Sequence, residues 1–226
     1  MVLVAAQSQT GVMPHVTSLV FSALAAAYLH PASGQIRVRL YDYAEVPVET
    51  VLKAKAFAAE TLAAAGVRVE WADCSADPEK MTLTSQICLL PPTPLDLQLR
   101  IVNQSMAQRV PTSRHCLGYA VIGARFPSIA SVYYHGATGL ADRKLATGSS
   151  ILASIMVHEI GHLLLVNHSH SRQGVMRATW EDEDLRTIAK GRMRFLREER
   201  ERLLEAVGRR QEEEDRRKEI GGKKTE

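Results

Sequence analysis

From Gly148 to Leu165 the chain holds no charged residue except Glu159, and its side chains are otherwise apolar apart from three serines and two histidines. Ile151, Ile155, Ile160 and Leu164 recur at helical spacing, with Leu152, Met156 and Leu163 beside them. The segment therefore reads as a helix that is apolar nearly all round and buried in the core. Ser149 or Ser150 is the expected N-cap, because a hydroxyl there accepts from a free backbone N–H. Three ionisable groups, His158, Glu159 and His162, sit inside this run. In an apolar helix they carry a heavy desolvation cost unless something pairs with them.

A metal ion removes that cost. Two histidines four residues apart project from one helix face, so both imidazoles reach one ion. Glu159, next to the first histidine, is placed to polarise a metal-bound water. His168, His170 and Met176 follow at usable distances, and one more imidazole closes a three-nitrogen zinc site with its fourth position open. The bland alternative is a hydrogen-bonded histidine pair in a core helix. The apolar surroundings and the later histidines argue against it.

The full stretch, HEIGHLLLVNHSHSRQGVM, resembles the metzincin zinc peptidases, matrixins especially, whose motif is HExxHxxGxxH followed by a Met-turn. His168 falls at that family's third-ligand position, and Met176 follows it at the matrixin spacing. The resemblance implies an α+β fold: a twisted mixed sheet of about five strands, a crossover helix, a buried metal-binding helix and C-terminal helices. It implies zinc as cofactor, hydrolysis of peptide bonds, Glu159 as general base and Met176 as an apolar floor under the site. It also implies that Gly118, Tyr119 and Ala120 form an edge strand above the cleft, where an extended peptide or protein substrate adds as another strand.

One position departs from the family. Its glycine lets the chain leave the helix in a left-handed conformation, and here that position is Leu165. No glycine occurs between Gly161 and Gly174. Asn167, which tolerates positive φ, is the best remaining place for the turn. A turn there makes His170 the third ligand, whereas family spacing makes it His168; turn chemistry tips the choice slightly to His170. A Glu from a later helix, Glu181 or Glu183, is the variant used by gluzincins. The family's Tyr after the Met-turn is replaced by Arg177-Ala178-Thr179-Trp180. That absence and Leu165 keep a second reading open, a non-catalytic, zinc-stabilised secreted binding protein.

The remaining periodicities fit the same architecture. Ile36–Tyr43, Val67–Trp71, Leu95–Val102, Gly118–Ile122 and Ala130–His135 read as strands, and Val48–Ala65 as an amphipathic helix between the first two. Residues 73–94 and 136–147 read as loops. Glu181–Lys190 reads as a helix with Thr179 as its cap. Residues 35–192 form the expected peptidase domain, and 193–226 a charged, solvated helix and tail with i to i+4 ion pairs.

Leu19–Leu29 is an apolar run too short to span a bilayer and suited to a secretory signal, so residues 1–34 read as a leader and the protein as secreted or periplasmic. If that leader is not a signal, the protein is cytoplasmic. No stable membrane insertion is expected. In an oxidising compartment Cys74 and Cys88 close a short loop and leave Cys116 over; the alternative is three reduced thiols. A net charge of +3 with dispersed basic residues and 5% aromatic content excludes a nucleic-acid reader.

Overall fold

The computed structural model describes residues 34–75, 83–110, 116–122 and 128–222. The expected leader lies outside the described residues. Five strands form one sheet: β1 (Gly34–Asp42), β2 (Val67–Cys74), β3 (Asp96–Val102), β4 (Gly118–Val121) and β5 (Ser128–Tyr133). Their order is β2-β1-β3-β5-β4. The first four strands in that order run parallel, and β4 pairs antiparallel with β5 at the edge. This is the mixed α+β architecture expected.

Alternation in β1, β3 and β5 builds the core. Ile36, Val38, Leu40, Leu97, Leu99, Ile101, Ala130 and Val132 are all buried. Two helices pack on them and on each other. Helix α1 (Val48–Ala63) buries Ala54, Ala58 and Leu62, and α4 (Gly148–Leu165) buries fifteen of its eighteen residues. Helix α4 is apolar and long enough to cross a membrane, but it is buried inside the fold. Its N-cap is Thr147, whose side chain accepts from Ser150 N–H, not Ser149 or Ser150 as expected. Ser150 instead turns its hydroxyl back to the Thr147 carbonyl.

Two segments expected as loop or strand end are helical, and a short helix falls in a stretch with no expected element. A 3₁₀ helix spans Leu83–Leu89, α2 spans Gln104–Ala107 and α3 spans Tyr134–Ala141. Two glycines make α3 a poor helix former, yet Ala137 is fully buried in the core cluster, so tertiary packing overrides propensity. Cys74 and Cys88 are disulfide-bonded, tying β2 to the 3₁₀ helix. Helix α5 (Asp182–Ala189) starts at Glu181, whose N–H donates to the Asp184 carboxylate; Thr179 does not cap it.

The largest correction concerns the charged C-terminus. Helix α6 (Arg197–Gly222) carries the expected i to i+4 ion pairs, among them Arg197–Glu201 and Arg217–Glu213. One of its faces is nevertheless part of the core, with Leu203, Ala206 and Val207 buried. Arg210 is buried with them and donates to the carbonyls of Pro94 (2.7 Å) and Leu163 (3.3 Å) and to the Ser128 hydroxyl. A guanidinium with five donors satisfies several loop and helix-end acceptors at once. Leu203→Ala should therefore cost about 2–5 kcal/mol of stability, read from urea unfolding midpoints. A loss below about 0.5 kcal/mol, as a solvated site gives, would contradict this packing.

Candidate metal centre

Helix α4 delivers His158 and His162 one turn apart. Their ring edges meet at a centroid distance of 4.6 Å. Each ring is fixed through its far nitrogen: His158 Nδ1 lies 2.7 Å from the Val175 carbonyl and His162 Nδ1 lies 2.8 Å from the Asn167 carbonyl. A carbonyl only accepts, so each Nδ1 carries the proton and each Nε2 is left with a bare lone pair.

Those lone pairs converge. His162 Nε2 stands 3.0 Å from His158 Nε2 and 3.3 Å from His170 Nε2. The three ligand atoms all lie within 4.8 Å of one another. A tetrahedral ion with Zn–N bonds of about 2.0–2.1 Å spaces its ligands roughly 3.3 Å apart. Burial pushes the His158 imidazole down to about 4; the Val175 carbonyl opposes that shift, and His162 and His170 add to it. Burial likewise lowers His162 and His170. Neutral rings with a free Nε2 lone pair are the form in which histidine binds metal, so the donor set fits zinc.

The chain reaches His170 by turning at Val166, which adopts φ 50° and ψ 42°. The expected turn residue, Asn167, lies one position later. Its carbonyl returns to His162, and its side chain accepts from Ser169 N–H. A β-branched residue in the left-handed region is strained. Val166 holds it because the turn carries the Asn167 carbonyl back under His162. His168 stays outside the three-nitrogen cluster, its ring centroid 6.1 Å from that of His162. Glu181 pairs with Arg177 and Glu183 with Arg186, so neither acid joins the cluster.

Met176 is buried and packs against α4 at Gly161. A Cβ on Gly161 would meet Met176 Sδ at 2.5 Å and Phe195 at 3.0 Å, which explains the glycine inside the motif. The turn before Met176 depends on Gly174 at φ 78°, and Val175 N–H bonds the Arg194 carbonyl there.

Glu159 is 4% exposed. Burial pushes its carboxyl up to about 8. Its Oε2 is one of the few buried polar atoms among the described residues without a hydrogen-bond partner. The carboxylate lies against β4, where a Cβ on Gly118 would stand 2.4 Å from Oε1. A cleft of about 390 Å³ opens here, lined by Gly118, Tyr119 and Ala120 on one side and Ala178, Thr179 and Trp180 on the other, with the histidines and Glu159 between. Arg177 pairs with Glu181 and Asp184 and so braces the second wall.

The chain is similar to the crystal structure of an archaemetzincin from Methanopyrus kandleri, 15% identical, covering 79% of this chain and 98% of its own, with a TM-score of 0.44. No protein-family model and no curated protein matches.

Sequence reasoning missed three contributors to the site. Val175 and Asn167 act through backbone carbonyls, which leave no signature in side-chain type. Gly118 was read as an edge-strand residue, without its clearance for Glu159. Val166→Gly should raise stability by about 1 kcal/mol, because relief of the left-handed strain exceeds the added freedom of the unfolded chain. Val166 is 53% exposed, so little packing is lost. Thermal unfolding of the metal-free protein reads this; a lower midpoint would contradict the turn assigned.

Proposed function

We propose that this chain is a zinc-dependent endopeptidase. The observation that carries the reading is the convergence of three Nε2 lone pairs beside a buried carboxylate with an unpartnered oxygen. His158, His162 and His170 would hold the ion. When bound, zinc there supplies Lewis acidity, lowering the pKa of water and polarising a carbonyl.

The chain's own groups supply the rest. Glu159 is buried beside the three nitrogens with one oxygen unpartnered, which places it to take a proton and return it. It accepts the proton of the attacking water and hands it to the leaving amine. Strand β4 ends the sheet, and among the described residues no strand pairs its outer side. An extended peptide adds to that edge by main-chain hydrogen bonds, which places a peptide bond over Glu159. Gly118 keeps the strand close to the carboxylate without a collision. The Cys74–Cys88 bridge favours an oxidising compartment, in accord with export.

Glu159→Gln should retain one zinc per chain and lose about 10²–10⁴-fold in peptide cleavage, measured with a fluorogenic peptide library and metal analysis. Wild-type protein that binds zinc yet cleaves no peptide would favour the binding-protein reading instead. His170→Ala should lose zinc in dialysis against a weak chelator under conditions where His168→Ala keeps it. The reverse pattern would move the third ligand to His168.

A further inference from the structure

The three imidazoles are not held alike. His158 and His162 lie on a buried helix, and each has its Nδ1 tied to a backbone carbonyl. His170 lies on an exposed loop, and among the described residues its Nδ1 has no hydrogen-bond partner. Its ring lies against those of His158 and His162. Metal-binding histidines are normally oriented through that second nitrogen, so the position of His170 must come from its backbone.

The next residue, Ser171, is the anchor. Its N–H donates to the Met176 carbonyl at 2.9 Å, and its hydroxyl donates to Glu199 Oε1. Glu199 is 7% exposed and sits in the first turn of α6. Its other oxygen, Oε2, accepts from Leu196 N–H at 2.7 Å, the donor just before the helix begins. One buried carboxylate thus caps its own helix and grips the loop next to His170. The other end of that loop is fixed at the Val166 turn.

We propose that Glu199 is a positioning residue for the third metal ligand, acting through Ser171. The inference rests on the zinc reading above. It assigns to the C-terminal helix a role in metal retention that its composition does not suggest. Without the Ser171–Glu199 bond the loop still begins correctly at Val166, but His170 samples positions away from the other two nitrogens, and zinc escapes through the loosened side.

The test is zinc affinity by competition with a chromophoric chelator, with thermal unfolding of each zinc-free protein alongside. Ser171→Ala is the sharper variant, because it removes the bridge and leaves the α6 cap intact. It should weaken zinc binding by about 10–100-fold with little change in the zinc-free midpoint. Glu199→Ala should weaken it at least as much and also lower the midpoint, and Glu199→Gln, which keeps one acceptor, should fall between. In a His170→Ala background Ser171→Ala should cost no further affinity, since the ligand it positions is gone. Zinc binding within twofold of wild type in Ser171→Ala would overturn the assignment, as would an equal loss in the His170→Ala background. Wild-type protein that takes up no zinc would sink the metal reading and this assignment with it.

Discussion

Two backbone carbonyls, those of Val175 and Asn167, set the chemistry of this site. By accepting the Nδ1 protons of His158 and His162 they fix both tautomers and both ring planes. The bare Nε2 atoms then face one another at 3.0 Å, with His170 at 3.3 Å. Lone pairs at that distance repel unless a cation sits among them. Most other features near the centre serve to bring the two carbonyls there. The Val166 turn returns Asn167 to the helix, Gly174 and the Arg194 carbonyl bend the chain so that Val175 faces His158, and Gly161 admits Met176 beneath.

The strain at Val166 and the buried carboxylate of Glu159 are local costs set against that geometry. Each is of the order of a few kcal/mol at most, and the large core formed by α1, α4, α6 and the sheet absorbs them. Functional centres commonly hold such costs where the surrounding packing over-determines the backbone. The unpartnered Oε2 of Glu159 is a further local cost of the same kind.

Much of this was legible in the sequence, and what was missed has a common cause. The strands and α1 follow from periodicity alone, and the histidine pair follows from the 3.6-residue helix repeat. Turn chemistry pointed to His170 through Asn167, whereas the chain turns at Val166, a residue type that intrinsic preference argues against. The interaction that forces it there is the hydrogen bond between the Asn167 carbonyl and His162, five residues earlier, a backbone contact that residue type does not signal. Helix α3 was read as a strand end and a loop because its glycines outweigh its apolar residues locally, while Ala137 is held by the core. Helix α6 was read as solvated because its charges dominate its composition. Arg210 and Glu199 are buried by partners far along the chain, with Pro94 lying 116 residues from Arg210, and pattern reasoning cannot see that distance.

X-ray absorption at the zinc K-edge of the loaded protein tests the central claim most directly. The account predicts three imidazole nitrogens at about 2.0–2.1 Å, with a further light-atom ligand and no sulfur. A sulfur shell at about 2.3 Å, or scattering from no more than two imidazoles, would contradict it.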